Sequence, residues 1–339
     1  MNFKSIFITG GAGYCGSRLV PQLLKEGFEV TIFDNFYFGD DFLPKSEKNL
    51  TLIKGDIRNT KKLKQSCVNH DVFLHLACVS NDASFELDEN FSTEVNLNCF
   101  EPMVLAAKNS GIKRFIYAST SSVYGISNKK NVTEDHPFVP LTLYNKYKGM
   151  CEPLLLKHTD KNFEGVIFRP ATVCGYAPRQ RLDLSVNILT NHAVNKNKIT
   201  IFGGEQLRPN IHIQDYCDFV KLIIKSSTEK IKNQQFNVGY QNLSMTEIAK
   251  IVKKVVNKEF NDKPEIDLVF TKSNDNRSYH ICSDKVKNIL GFQPKYTIED
   301  AVKELCDHFK KGEFKNSFDD DKYFNVQRLK KIQAKWKIR

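Results

Sequence analysis

Residues 4–16 read KSIFITGGAGYCG, a short apolar run that passes directly into a glycine-rich turn. The apolar part, Lys4–Thr9, predicts a buried strand, and the spacing of apolar residues in Arg18–Lys25 predicts a helix that ends at Gly27. The turn between them has the spacing GxxGxxG, given by Gly10, Gly13 and Gly16. Small residues let the backbone approach a pyrophosphate, and the start of a helix offers it free N–H groups. This context predicts a dinucleotide-binding strand–turn–helix unit rather than an ordinary glycine turn.

Further apolar runs of strand length follow along the chain. The strand predictions are Phe28–Phe33, Leu50–Lys54, Val72–Leu76, Arg114–Ala118, Gly165–Phe168 and Gln235–Val238. The helix predictions are Phe91–Ser110, Tyr144–His158, Thr246–Asn257 and Ile298–Lys310. Strands that alternate with helices at this spacing predict parallel pairing, and therefore an α/β fold with a Rossmann-type doubly wound sheet.

The strand–helix alternation loosens after Pro170. We therefore predict a Rossmann domain over residues 1–170, a smaller C-terminal substrate-binding domain over residues 171–312 that returns segments to the sheet, and a basic tail over residues 313–339.

From Lys322 to Arg339 the tail has seven lysines or arginines and no acid, against a net charge of +11 for the chain. This pattern favours a solvated, partly helical tail over a polyanion-binding arm. We expect no nucleic-acid partner, and a mildly basic body suits an anionic substrate.

Composition and cysteine usage restrict the compartment. The 339 residues are 41% hydrophobic, which is enough for a large buried core. The first residues lack the charged-then-apolar pattern of a signal peptide, and no apolar run approaches the roughly 20 residues that span a bilayer. The nine cysteines are odd in number and contain no CxxC pair. We therefore expect a cytoplasmic protein with free thiols, no membrane association and no metal site.

Acidic residues follow the second and third predicted strands. Asp34 ends the second strand, eighteen residues beyond Gly16. A carboxylate there can accept hydrogen bonds from ribose hydroxyls and would repel a 2′-phosphate, so it favours NAD over NADP. A solvated loop aspartate is the alternative. Asp56 and Ile57 follow the third strand, where they could meet the adenine edge, whereas His75 at the end of the fourth strand is expected to be structural.

Tyr144 and Lys148 have the i, i+4 spacing that brings two side chains to one face of a helix. A lysine beside a phenol favours the phenolate and lowers the tyrosine pKa, which makes a general base. Tyr147 has no such lysine and is expected to pack. The fifth strand runs into ASTSSVYG, residues 118–125. We expect one of these hydroxyls to bind the reacting oxygen and the others to cap the turn.

The glycine motif, Asp34, the 118–125 segment and the Tyr144/Lys148 pair together resemble the extended short-chain dehydrogenase/reductase family, which includes UDP-glucose 4-epimerase. The resemblance covers about residues 3–310. It implies tightly held NAD, a nucleoside-diphosphate-sugar substrate and a catalytic hydroxyl on Thr120. It also implies a homodimer that packs Phe91–Ser110 and Tyr144–His158 of each subunit together.

The predicted contacts divide into three groups. The catalytic residues are Thr120, Tyr144 and Lys148. The cofactor contacts are Gly10, Gly13, Tyr14, Cys15, Gly16, Asp34, Asn35, Asp56, Ile57, Leu76, Ala77, Cys78, Asn96, Ser119, Tyr144, Lys148 and Pro170. The substrate contacts are Ser80, Thr120, Thr172, Asn187, Thr200, Phe202, Arg208 and Arg277. In the family pattern the two arginines bind the diphosphate, with surface salt bridges as the alternative, and Thr200 and Phe202 pack the base.

Two departures from the family pattern bear on the reaction. Sugar 4,6-dehydratases carry Asp-Glu after the catalytic threonine, where this chain has Ser121 and Ser122, so dehydration is not expected. Thr172 replaces an asparagine that contacts the substrate diphosphate in UDP-glucose 4-epimerases. The segment Arg169–Arg181 (RPATVCGYAPRQR) instead resembles a branch that serves bacterial surface polysaccharides and includes a GDP-heptose 4-dehydrogenase.

The sequence therefore predicts an NAD-dependent enzyme that oxidises the C4 hydroxyl of a GDP-heptose or UDP-hexose. It would act as a 4-dehydrogenase or a 4-epimerase in capsule or lipopolysaccharide biosynthesis. The alternative is a non-catalytic NAD-binding regulatory protein on the same fold, which has no need of the Thr120, Tyr144 and Lys148 set.

Overall fold

The computed structural model describes residues 3–45, 47–127, 129–272 and 278–333. Its strands are β1 (Ser5–Thr9), β2 (Glu29–Asp34), β3 (Leu50–Lys54), β4 (Val72–His75), β5 (Arg114–Ala118), β6 (Glu164–Pro170), β7 (Thr172–Cys174), β8 (Lys198–Phe202), β9 (Leu207–His212), β10 (Gln235–Val238), β11 (Gln241–Ser244) and β12 (Asp267–Thr271).

The helices are α1 (Tyr14–Lys25), α2 (Thr60–Ser66), α3 (Asp82–Phe85), α4 (Glu89–Thr93), α5 (Phe100–Asn109), α6 (Leu143–Leu156), α7 (Ser185–Lys196), α8 (Ile213–Lys225), α9 (Thr228–Ile231), α10 (Met245–Glu259), α11 (Asp284–Leu290), α12 (Ile298–Lys310) and α13 (Asn325–Ile332). A π-helical turn (Glu94–Asn98) joins α4 to α5, and short 3-10 helices cover Ser121–Tyr124 and Asp321–Tyr323.

Seven strands form one parallel sheet in the order β10-β6-β5-β4-β1-β2-β3. The Rossmann-type sheet predicted from the alternation of strands and helices is therefore confirmed, including the late strand β10. Successive residues of a strand face opposite sides. In β1, Ile6 and Ile8 belong to the core shared with α1 and α8, whereas Phe7 belongs to the core shared with α5.

The long helix predicted over Phe91–Ser110 is broken in the structure. The π-helical turn Glu94–Asn98 separates α4 from α5 and brings the buried Asn96 against the backbone of Val79. The Asn96 amide accepts from the Val79 N–H at 2.8 Å and donates to the Val79 carbonyl oxygen at 2.9 Å. A periodicity argument could not find this break, because both halves keep the apolar spacing of a helix.

A buried arginine joins β5 to its neighbour β6 and to the end of α8. Arg114 in β5 is fully buried, and its Nε donates to Glu164 in β6 at 2.5 Å. Its Nη1 also donates at 2.7 Å to the carbonyl oxygens of Ile223 and Ile224, in the last turn of α8. The last carbonyls of a helix lack partners within it, and this buried guanidinium satisfies two of them. Within the part of the chain that the structure describes, its Nη2 has no hydrogen-bond partner. A separate core packs α7, α10 and α12 together.

The described part of the C-terminal tail packs one side against the rest of the protein. Residues 325–332 form α13, and Leu329 and Ile332 are buried against Val79 and Phe91. The prediction of a partly helical tail fits α13, but a fully solvated tail does not, because apolar residues between the basic ones reach a core. In the described ranges, none of the helices has both the length and the apolar character to cross a bilayer.

Candidate active site

The glycine loop lies between β1 and α1, as the motif predicted. Gly10 has φ +75°, and a Cβ there would lie 2.5 Å from the backbone nitrogen of Ala77, so only glycine fits. A Cβ on Gly16 would lie 2.3 Å from the carbonyl oxygen of Gly11. Gly13 is the N-cap of α1 and has no side chain to cap it. The N–H groups of the first turn are thus left for a ligand.

A cavity of about 280 Å³ opens at the carboxyl edge of the central strands. The predicted cofactor contacts that line it are Gly10, Gly13, Tyr14, Cys15, Gly16, Asp34, Asn35, Asp56, Ile57, Leu76, Ala77, Cys78, Ser119, Tyr144, Lys148 and Pro170. Asn96 is the one predicted contact outside this lining, and it is bonded to Val79, which lines the cavity. Ser80, predicted to touch substrate, also lines the cavity.

Asp34 stands at the end of β2 with its carboxylate held in place. Its Oδ1 accepts from the Phe36 N–H at 2.8 Å and its Oδ2 from the Ala12 N–H at 3.1 Å. Burial raises the pKa of Asp34, and the backbone donors oppose that rise. Asp56 is paired differently, because Arg58 holds both of its oxygens at 2.7–3.1 Å. Of the two, Asp34 is the carboxylate suited to ribose hydroxyls.

Tyr144 and Lys148 occupy one face of α6, and both line the cavity. The Lys148 ammonium donates to the carbonyl oxygen of Ala118 and lies 4.5 Å from the centre of the Tyr117 ring. Tyr147 packs edge-on against Phe85 with ring centroids 5.6 Å apart, which fits its predicted packing role. The lysine therefore links α6 to the end of β5.

The pKa of Tyr144 differs from the sequence expectation. Burial raises it well above its ordinary value, electrostatic interaction with Cys78 and Asp82 raises it further, and Arg181 lowers it. The protein alone therefore does not depress this pKa, because desolvation outweighs the nearby cations. A cationic nicotinamide ring at this site would act in the opposite direction, favouring the phenolate.

The hydroxyl segment after β5 is held by a network of hydrogen bonds. Thr120 caps the 3-10 helix Ser121–Tyr124, accepting from the Ser122 N–H at 3.2 Å. Its Oγ1 lies 2.8 Å from the Ser122 Oγ, which donates to Asn145 beside Tyr144. Ser119 donates to Glu152 at 2.6 Å, and Ser121 lies 3.4 Å from the Tyr279 hydroxyl. Thr120 is thus linked to the start of α6, although it does not line the cavity.

Asn187, a predicted substrate contact, has hydrogen-bond partners within the protein. It is fully buried, accepts from the Gly175 N–H at 3.0 Å, and donates to the Tyr14 hydroxyl and the Arg181 carbonyl oxygen. Its amide is therefore used within the protein, where it joins α7 to the start of α1. A substrate contact at Asn187 stays a prediction.

The other predicted substrate residues lie on strands outside the sheet. Thr172 in β7 and Arg208 in β9 belong to a three-stranded sheet, in which Thr172 pairs with Asn210. Thr200 and Phe202 lie on β8 of a separate two-stranded sheet, and the Phe202 side chain is exposed. Arg277 lies outside the described residues. None of these four described residues lines the cavity.

Two buried arginines were missed by the sequence reasoning. Arg179 and Arg181 line the cavity and are 4% and 8% exposed. Arg181 pairs with Asp183 at 2.8 Å, whereas burial and the neighbouring Arg181 lower the pKa of Arg179 to about 9. Among the described residues, the Arg179 Nε and the Arg181 Nη2 have no hydrogen-bond partner. The two guanidinium groups share the one carboxylate of Asp183. The positive charge that remains suits the pyrophosphate of a dinucleotide.

The parallel sheet, the glycine cradle and the Tyr144/Lys148 pair define an NAD-binding oxidoreductase of the extended short-chain dehydrogenase/reductase class. The chain belongs to the NAD dependent epimerase/dehydratase family, whose profile matches residues 6–239. Its cofactor is NAD, and the glycine loop, Asp34 and the two buried arginines are the groups that would hold it.

Relatives of both reaction types match almost the whole chain. A UDP-glucose 4-epimerase from Lactobacillus helveticus is 28% identical over 88% of this chain and 94% of its own length. A dTDP-D-glucose 4,6-dehydratase from Mus musculus is 27% identical over 91% of this chain and 89% of its own. The solved structure of UDP-glucose 4-epimerase from Thermotoga maritima with UDP-glucose has a TM-score of 0.80 at 24% identity, covering 91% of this chain and 99% of that one.

Proposed function

We propose that this protein oxidises the C4 hydroxyl of a nucleoside-diphosphate sugar with bound NAD. It then either releases the 4-keto sugar or reduces it again, as a 4-dehydrogenase or a 4-epimerase. The observation that carries the proposal is that Tyr144 and Lys148 line the same cavity as the glycine loop and Asp34. A proton acceptor thus shares one cavity with the cofactor cradle. When bound, NAD supplies the hydride acceptor.

The proposed roles follow from the contacts around α6. Tyr144 takes the proton of the C4 hydroxyl as general base. Thr120 binds that hydroxyl and relays its proton, and its bond to Ser122 links it to Asn145, next to Tyr144. Lys148, held by the Ala118 carbonyl oxygen on the face of α6 that Tyr144 shares, favours the anionic form of Tyr144. A non-catalytic NAD-binding role, the alternative, would require none of these three residues.

Dehydration is not part of the proposal, although dehydratases are among the relatives. Expulsion of water from C6 requires an acid and a base near C5 and C6. The chain carries Ser121 and Ser122 at the corresponding positions, and these hydroxyls already contact Tyr279, Thr120 and Asn145. A serine hydroxyl is a far weaker acid than a carboxyl, so it is a poor donor of the proton that the leaving water needs.

The sugar and the biological setting rest on the sequence resemblance. We propose a GDP-heptose or UDP-hexose substrate in bacterial surface polysaccharide biosynthesis, with Arg208 and Arg277 on the diphosphate. We also propose a cytoplasmic homodimer that pairs α5 and α6 of two subunits. Leu105 on α5 and Met150 on α6 support this pairing, because 38% and 43% of these large apolar residues is exposed in the single chain.

A panel of UDP-, GDP-, CDP- and dTDP-sugars tests the proposal. Each is incubated with the purified protein, absorbance near 340 nm is followed, and products are identified by NMR. A 4-keto or C4-inverted product with one sugar class supports it. If none of the sugars changes absorbance or structure while the protein retains NAD, the non-catalytic alternative is favoured.

A further inference from the structure

The last described helix, α13, forms part of the wall of the cofactor cavity. Asn325 and Leu329 both line it, together with residues of the glycine loop more than 300 positions earlier in the chain. Leu329 and Ile332 pack with Val79 and Phe91 in a small core of their own. The family profile ends at residue 239, so this helix lies beyond the matched region.

Asn325 connects two segments that border the cavity. Its Oδ1 accepts from the Nη2 of Arg179 at 2.7 Å, and its Nδ2 donates to the Oγ of Ser80 at 2.8 Å. Its backbone N–H donates to Asp183 at 2.9 Å. Asn325 is itself only 6% exposed. One residue of α13 therefore fixes the buried arginine loop against the segment that follows β4.

Arg328 connects α13 to the opposite border of the cavity. Its Nε donates to the carbonyl oxygen of Tyr37 at 2.6 Å, and Tyr37 lines the cavity in the loop that follows Asp34. Its Nη1 pairs with Asp321 at 2.9 Å, and Lys331 pairs with the same carboxylate at 2.8 Å. The helix thus spans the cavity from the Ser80 side to the Tyr37 side.

The helical structure of α13 also depends on these contacts. It has eight residues, and isolated helices shorter than about 12–15 residues are marginal in water. Its structure therefore depends on docking against the cavity wall. Segments of this kind open locally without unfolding the rest of a protein.

We propose that α13 is a retaining strap for the cofactor. Docked, it closes the side of the cavity between Ser80 and Tyr37 and holds Arg179 in position. Bound NAD then leaves only when α13 detaches, so the rate of cofactor exchange is set by the opening of this strap. The proposal concerns cofactor retention and does not depend on which sugar is oxidised.

Exchange of bound NAD for radiolabelled NAD tests the strap. The full-length protein loaded with unlabelled NAD is mixed with excess label, and the bound label is followed with time after rapid removal of free nucleotide. Asn325→Ala and Leu329→Ala should each exchange at least about tenfold faster than the unchanged protein, because each removes a contact between α13 and the cavity wall.

Matched controls lie on the solvent side of the same helix. Gln327 and Lys330 are exposed, so Gln327→Ala and Lys330→Ala should leave the exchange rate unchanged. A third variant, deletion of residues 325–339, should exchange fastest, with its folded state checked by circular dichroism. If the deletion does not fold, the two point variants decide. Exchange at the unchanged rate in both Asn325→Ala and Leu329→Ala would overturn the proposal, whatever the activity of the loaded enzyme.

Discussion

Arg169 and Glu152 form a buried ion pair, with the Arg169 Nη2 2.6 Å from the Glu152 Oε2. The second oxygen of Glu152 accepts from Ser119 at 2.6 Å, and the Nη1 of Arg169 donates to the Tyr124 hydroxyl at 2.6 Å. Glu152 lies one turn after Lys148 in α6. The pair therefore joins the catalytic helix to both ends of the segment that carries Thr120.

Glu152→Ala should destabilise the protein strongly. It would leave the Arg169 guanidinium buried beside an empty space, and breaking a buried pair in this way costs about 3–5 kcal/mol. The free energy of unfolding in urea measures the loss. Lys157→Ala, which breaks an exposed pair with Glu101, is the matched control and should have a far smaller effect. Equal losses in the two variants would contradict the structural role of the buried pair.

Much of the fold and the cofactor site could be predicted because their signals are local. A buried parallel strand is a continuous apolar run, and the glycine turn needs residues without side chains at fixed positions. Gly10, Asp34 and Lys148 therefore fell where the motifs placed them. Arg179, Arg181 and α13 could not be found in this way. They reach the cavity through long-range packing, and Asn325 contacts Ser80 across 245 positions of sequence.

The substrate side was harder to predict for a related reason. Asn187 matched a family position, but its side-chain amide is hydrogen-bonded to the Gly175 N–H and to the Tyr14 hydroxyl. Periodicity likewise missed the π-helical turn at Asn96. In both cases the function of an amide depends on which backbone groups the fold brings near it, and a single sequence does not contain that information.

The protein purified without added cofactor should carry NAD(H). The carboxylate of Asp34, held by the N–H groups of Ala12 and Phe36, would repel a 2′-phosphate. The ligand is released by denaturation and identified by chromatography. Asp34→Ser should narrow the preference for NAD over NADP, because it removes the charge. Mainly NADP(H) in the unchanged protein would show that Asp34 has been assigned wrongly.

No 4-keto-6-deoxy sugar should form from any nucleotide hexose. The positions after Thr120 are serines, and neither supplies a carboxyl to expel water. Mass spectrometry measures the mass of the reaction products, which dehydration lowers by one water. A product of that mass, formed by the unchanged protein but not by Tyr144→Phe, would refute this prediction.

The pH profile should respond to the charge on Asp82. Tyr144 acts as the phenolate, so turnover rises with pH through its pKa. Burial raises that pKa, and the charge on Asp82 raises it further. Asp82→Asn removes a negative charge and makes the phenolate easier to form, so the acidic limb of the kcat profile should move to lower pH. Asp262→Asn, an exposed acid on the second half of the chain, should leave the limb in place. A shift to higher pH in Asp82→Asn would contradict Tyr144 as the base.

Tyr144→Phe tests the catalytic assignment directly. The substitution keeps the ring in the cavity wall and removes only the proton acceptor, so folding and NAD content should remain nearly intact. General-base catalysis typically contributes about 10²–10⁴-fold, and kcat should fall by that order. Lys148→Ala should also lower activity and move the acidic limb of the pH profile upward, because it removes a cation from the Tyr144 side of α6.

Tyr147→Phe is the internal control for that measurement. Its ring packs on Phe85, outside the cavity, so loss of its hydroxyl should leave kcat nearly unchanged. Both tyrosines lie on α6 and undergo the same chemical change, so a difference between the variants reports position alone. If Tyr147→Phe abolished turnover while Tyr144→Phe stayed active, the face of α6 assigned to catalysis would be wrong. The roles of Lys148 and Thr120 would then fail with it, because both were assigned through their relation to Tyr144.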